Sequence, residues 1–118
     1  MYQTIKQYLR KPTSGELNSK GKPVAGEPFG VMMATLIDGQ LKFGWSKCHE
    51  MDLMRHAYNK DLGILKASKR LEAFVPNSEI IVPNAMVFEM EDFLLWAKKY
   101  FRTDSVQGVV QEVLIDSE

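Results

Sequence analysis

The run Phe29-Gly-Val-Met-Met-Ala-Thr-Leu-Ile37, the pair Asp38-Gly39 and the run Gln40-Leu-Lys-Phe-Gly-Trp-Ser-Lys-Cys48 decide how this chain folds. An Asp-Gly pair between two strand-like runs is a strong hairpin signal, because a type I′ turn needs positive φ at both central residues. Side chains alternate across a strand. Phe29, Val31, Met33, Thr35 and Ile37 therefore share one face, and Met32, Ala34 and Leu36 the other. Leu41, Phe43 and Trp45 form the stripe of the second strand expected to match the Phe29–Ile37 face, with Lys42, Gly44 and Ser46 opposite. One face packs against helices, and Met32 and Leu36 imply that the other is partly covered too.

Upstream, Tyr2–Leu9 alternates loosely, with Tyr2, Thr4 and Tyr8 on one side and Ile5 and Leu9 on the other. It reads as a third strand, since a lone hairpin is marginal in water. Residues 11–28, holding Pro12, Gly15, Gly21-Lys-Pro23 and Gly26-Glu-Pro28, read as a surface loop longer than ordinary connections.

Downstream, His49–Phe74 has helical periodicity, with Met51, Met54, Tyr58, Leu62, Leu65 and Leu71 as the expected inward stripe. Gly63, close to Asn59-Lys60-Asp61, predicts a kink, a break into two helices or a close approach to another backbone, with Ala67 extending a small-residue face. In Val75-Pro-Asn77 and Val82-Pro-Asn84 each proline disfavours helix in the residue before it. Asn84 is the expected cap of a helix over Ala85–Arg102. The buried stripe of that helix is Met86, Met90, Phe93, Ala97 and Phe101, with Trp96 and Tyr100 flanking. Acidic groups fill its first turns and Lys98, Lys99 and Arg102 its last, which suits the helix dipole. Beyond Asp104, the spacing of Val106, Val109, Val110, Val113 and Leu114 fits a short helix and their β-branching fits a strand; a dimer contact is a further use for them. The expected fold is α+β: one domain over residues 1–118, an N-terminal antiparallel sheet of about three strands packed against two C-terminal helices.

Lysine plus arginine balance aspartate plus glutamate in the 118 residues, so no overall field draws the molecule to nucleic acid or anionic lipid. The charge is uneven, at +4 over residues 1–48, +1 over 49–74 and −5 over 75–118. Such asymmetry favours self-association, or a phosphate-bearing ligand near the basic part. Cys48 is the one cysteine, so no internal disulfide forms. No apolar run reaches the roughly 20 residues of a membrane span and no signal-peptide pattern opens the chain, so a cytoplasmic protein is expected.

Catalytic signatures are lacking. Cys48, Asp52 and His56 could share a helix face, with His49 three residues before Asp52, but they lack the paired spacing of zinc sites. There is no nucleophile elbow, phosphate-cradling glycine loop or HExxH, so neither an enzyme nor a cofactor is expected. The basic groups are more suggestive. Lys66, Lys69 and Arg70 lie within about one turn, and Lys98 and Arg102 are four apart on the later helix. Two helices each offering a lysine–arginine pair could clamp phosphate, arginine supplying a bidentate fork; a solvated helix face is the plainer use of the same residues. A nucleic-acid interface would want exposed aromatics among the cations, whereas the aromatics here fit core positions.

Taken together, Gly21-Lys-Pro23, Gly30-Val-Met-Met-Ala34, Gly44-Trp-Ser-Lys-Cys48, Asp52, Gly63-x-x-x-Ala67-x-x-Arg70 and Phe93-x-x-x-Ala-Lys-Lys-Tyr-Phe-Arg102 resemble small uncharacterised phage and prophage proteins, over about residues 20–102. The chain departs from that pattern in the wider spacing between Asp52 and the next aromatic, Tyr58. The outline, with Lys98 and Arg102 late in the last helix, is also similar to the Thoeris anti-defence sponges, which sequester cyclic ADP-ribose-type signals. That resemblance implies a phage-encoded, non-enzymatic binder acting in the host cytoplasm by affinity, with its pocket at the subunit interface of a homo-oligomer. Lys98 and Arg102 would hold phosphate, Phe74 or Tyr100 would stack on the base, and Asn84 would hydrogen-bond its polar edge. The other partners considered are a host defence or nuclease protein, inhibited stoichiometrically, and nucleic acid, for instance through the basic loop Lys20–Lys22.

Overall fold

The computed structural model describes residues 3–11, 17, 19–21, 26–48, 58–76 and 78–112. The elements are β1 (Thr4–Arg10), β2 (Pro28–Ile37), β3 (Gln40–Lys47), α1 (Lys60–Ala73), β4 (Ile80–Val82), a short 3-10 turn (Asn84–Met86), α2 (Val87–Phe101) and β5 (Val109–Gln111). The fold is α+β, an antiparallel sheet in the order β1-β2-β3 followed by two helices. No helix among the described residues is long and apolar enough to cross a membrane.

The hairpin forms as its turn chemistry dictates. Asp38 and Gly39 carry φ of 51° and 77°, and Ile37 pairs with Gln40 beside them. Register then places Met32 opposite Trp45, Ala34 opposite Phe43 and Leu36 opposite Leu41. The stripe of the second strand therefore shares the face of Met32, Ala34 and Leu36 and not, as expected, that of Val31 and Met33: a two-residue turn pairs Ile37 with Gln40 and sets the alternation. β1 completes the sheet, with Ile5 beside Ala34 and Leu9 beside Gly30. On this face Ile5, Leu9, Met32, Ala34, Leu41 and Phe43 pack against Met86, Met90, Phe93, Leu94 and Ala97, whose spacing of three and four puts them on one side of α2.

The opposite face carries Val31, Met33, Gly44 and Ser46 and is covered by α1 through Ala67 and Ile64. The two helices thus sandwich the sheet. α1 reaches very close to β3: a β-carbon on Gly44 would sit 2.1 Å from the Ala67 carbonyl oxygen and 2.7 Å from the Leu71 nitrogen. Ser46 donates to the Gly63 carbonyl (2.8 Å), and Lys42 to the Glu72 carbonyl (2.9 Å) near the helix's C-terminal end.

Three further expectations are corrected, and a fourth, left open between helix and strand, is decided. The helix that holds Gly63 starts at Lys60, because Asn59 is extended and its side chain accepts from the Leu62 amide at 3.0 Å. Asn59-Lys60-Asp61-Gly63 is therefore a helix start and not a kink within one helix; residues 49–57, expected in the same helix, lie outside the described residues. The inward stripe is Gly63, Ala67 and Leu71, with Leu62 and Leu65 exposed, because the smallest residues allow the closest approach to β3; Met51 and Met54 lie outside the described residues. Asn84 makes no side-chain cap, opening instead the 3-10 turn that leads into α2. Beyond Asp104 the chain forms a strand, β5, pairing in parallel with β4 through Ile80–Val109, Ile81–Val110 and Val82–Gln111. Most of the 11–28 loop lies outside the described residues.

Gly63 lies in the first turn of α1 because the Tyr58 hydroxyl occupies the place its β-carbon would need. That hydroxyl is buried without a hydrogen-bond partner among the described residues. Burial pushes the phenol above its usual value near 10, the neighbouring Ser46 hydroxyl pulling the other way without reversing the shift. Ser46 already donates its own proton to Gly63.

Gly44→Ala should destabilise by about 3 kcal/mol in chemical denaturation, because helix backbone must move. Gly108→Ala, which meets open space, should stay within about 0.5 kcal/mol of wild type. The raised Tyr58 value means that the fold favours the neutral phenol. Its contribution is complete below the unfolded value near 10 and is lost as pH rises through the folded one. Tyr58→Phe should then be at least as stable as wild type at pH 7, and should lose less stability than wild type between pH 9 and 11 in paired thermal melts.

Candidate functional site

Of the cations chosen from the sequence, Arg70 lines one depression and Lys98 and Arg102 another, and the two have no lining residue in common. Within one chain they do not form a single clamp.

The first depression is a cleft of about 340 Å³ where the sheet meets β4. Arg70 leaves α1 and sits over Trp45, its guanidinium carbon 3.9 Å from the ring centroid, while Nη1 donates to the Trp45 carbonyl at 2.7 Å. Trp45 in turn donates its indole N–H to the Ile81 carbonyl at 2.9 Å, tying β3 to β4. Phe74, just past α1, lines the same cleft and meets Phe43 edge-on. Glu79 and Glu112 complete the wall. Arg70 is thus committed to Trp45 in a cleft that also carries two carboxylates, a setting suited to a planar or cationic group more than to phosphate. Lys66 and Lys69 are exposed on α1 and line neither depression.

The second depression, broader at about 680 Å³, lies at the C-terminal end of α2. Lys98, Lys99 and Arg102 line it with the hydroxyl residues Thr103 and Ser105 and the apolar Leu95 and Val106. Arg102 stands in the left-handed conformation, φ 53°, at the position that ends the helix. Its own amide and that of Thr103 both reach the Lys98 carbonyl, the latter at 3.0 Å. Glycine is the usual residue there, and a β-carbon in this conformation costs roughly 1–2 kcal/mol. Among the described residues, none of the three cations is in an ion pair; the ion pair found is Lys11–Glu27. Asp104 is the acidic member of the lining.

The remaining residues expected at a site are elsewhere. Tyr100 turns from this depression, its hydroxyl 3.4 Å from the Gln3 side chain and its ring against Phe101. Asn84 is exposed in the 3-10 turn and lines neither depression. No group of three metal-ligating side chains occurs among the described residues; His49, Asp52 and His56 lie outside them. Sequence reasoning missed Trp45 as the partner of Arg70, since its alternation with Leu41 and Phe43 marks it as a core residue and the pair spans 25 positions. It also missed the carboxylates, which reach the cleft only because β4 and β5 pair. No protein-family model matches the chain, and neither a curated protein nor a solved structure matches it.

Arg70→Ala should uncover the Trp45 ring and loosen β3 from α1 by about 1 kcal/mol. In a Trp96→Phe background, where Trp45 is the sole remaining tryptophan, its emission should shift to the red. Arg70→Lys should recover only part of the effect, because an ammonium cannot cover the ring while holding the carbonyl.

Proposed function

We propose that the protein is a non-enzymatic, phage-type anti-defence protein that binds and sequesters a phosphate-bearing nucleotide signal, with Lys98, Lys99 and Arg102 receiving the phosphate. The observation that carries this reading is Arg102 itself. An arginine occupies a helix-ending position where glycine would be more stable, beside two further cations without ion pairs. Strain kept at a charged, exposed residue supports a role in binding. The hydroxyl of Thr103 offers a hydrogen bond to a phosphate oxygen, while that of Ser105 is taken by the Gln107 side chain at 2.8 Å; the exposed Leu95 and Val106 offer apolar surface to a base or ribose. A closed oligomer placing the depression at an interface would shield the anion further; the uneven charge along the chain supports such self-association.

The test is native mass spectrometry of gently purified protein together with thermal melts in the presence of cyclic ADP-ribose-type nucleotides. Binding at about a hundredfold excess over Kd should stabilise the fold by about 2.7 kcal/mol. Arg102→Gly should raise the melting temperature of the free protein, by about 1 kcal/mol in stability, and abolish the ligand-induced shift. No co-purified mass and no shift with any such nucleotide would overturn the reading.

A second reading, a stoichiometric inhibitor of a host protein, is favoured by the outer side of α2. Phe88 is 78% exposed and shares its stripe with Leu95, while Val106 beyond the helix is 97% exposed. A tagged pull-down that recovers one host protein in stoichiometric amount, lost on Phe88→Asp, would select it.

A further inference from the structure

A third collection of cations lies on β1, outside both depressions. Ile5 and Leu9 point into the core shared with α2, so the alternate residues Lys6, Tyr8 and Arg10 stand on the opposite face. α1 covers that face over β3 and β2 and meets β1 only toward Tyr8, which packs beside Val31, Met33 and Ala67. The Tyr8 ring draws cations from two elements. The Lys6 ammonium is 5.9 Å, the Arg10 guanidinium carbon 5.8 Å and the Lys60 ammonium 5.0 Å from its centroid. All three side chains are exposed, and none pairs with a carboxylate among the described residues. Arg10 donates once, to the Gly26 carbonyl at 3.0 Å, which leaves the rest of its fork free. Lys60 opens α1, so the positive end of the helix dipole adds to the field, offset in part by exposed Asp61.

We propose that this outer strip of β1 binds the phosphate backbone of single-stranded nucleic acid. Lys6, Arg10 and Lys60 would hold phosphates of one strand and Tyr8 would offer its ring to an unpaired base. The charged ends of Lys6 and Arg10 lie 5.9 and 5.8 Å from the Tyr8 centroid on the same face, so both are within reach of a short stretch of one extended strand. Cation–π contacts at exposed sites are weak, so the three cations exchange the ring for phosphate readily and the ring becomes free to stack. A flat strip on one strand does not fill a duplex groove, which admits a helix or a two-stranded ribbon. The site is independent of the depression at the end of α2.

The experiment is fluorescence anisotropy of the full chain with a short labelled oligothymidylate, titrated with salt from about 50 to about 200 mM. Three phosphate contacts predict a log–log slope near −2, at about 0.7 per contact for single strands. Lys6→Gln/Arg10→Gln should flatten that slope by about 1.4 and weaken binding at least tenfold. Both residues are exposed, so the fold tolerates the change, checked by circular dichroism. Tyr8→Leu, which keeps an apolar side chain in the packing, should weaken binding by about tenfold, whereas Tyr8→Phe should not. Lys98→Gln/Arg102→Gln should leave the slope unchanged. No binding at the lowest salt, or binding indifferent to Lys6 and Arg10, would overturn the proposal. So would equal affinity for a duplex of the same length, or equal competition by free thymidine monophosphate, which would mark a mononucleotide site.

Discussion

The structure depends on how closely α1 approaches β3. With no side chain on Gly44, the backbone of α1 rests almost on the strand, and Ala67 fills the remaining space. That contact puts Arg70, one turn beyond Ala67, within reach of the Trp45 ring. It leaves Ser46 against the Gly63 carbonyl and brings the start of the helix over Tyr58 and Tyr8. A larger residue at position 44 would lift the helix and displace each of these groups together, because packed interiors shift as units and do not deform locally.

Both faces of the sheet are used, but differently. The α2 side is an apolar core of Met, Phe, Ile and Leu, where burial of large side chains provides most of the driving force. The α1 side buries Val31 and Met33, makes its closest contacts through Gly44, Ala67 and Ser46, and is held by side-chain hydrogen bonds to backbone carbonyls, with a smaller apolar cluster. The cations sort accordingly. Lys42 and Arg70 serve the α1 contact and Arg10 holds the Gly26 carbonyl, while among the described residues Lys6 and the cations at the end of α2 make no such side-chain bond to the backbone.

Much of the fold was legible in the sequence because it is locally encoded. Asp38-Gly39 specifies its turn whatever surrounds it, and the apolar period of Met86–Ala97 repeats within four turns of helix. The first helix misled because its periodicity lies in leucines that face solvent, while the contact itself is made by residues with little or no side chain, which carry no hydropathy signal. β4 and β5 were hard to see because three-residue strands draw their definition from a partner almost thirty positions away. For the same reason the chosen cations were real surface groups, but their division between two depressions depends on which face each helix covers. Tyr8 went unnoticed as a centre of charge because Lys60 reaches it across fifty residues.

The parallel pairing of β4 and β5 encloses α2 in a β-α-β crossover whose closing strand is three residues long. Its ladder is short, extended by the Ile80 amide on Gly108 and the Glu112 amide on Val82. Elements with so few backbone bonds sit at the low end of the local-opening scale. Amide exchange at Ile80 and Glu112 would accordingly outpace that of the α2 core. Since Glu112 forms part of the Arg70 cleft, one wall of that cleft rests on a short ladder, on Val109 against the core and on the Gln107 side chain at the Ser78 carbonyl, and not on the sheet or on either helix.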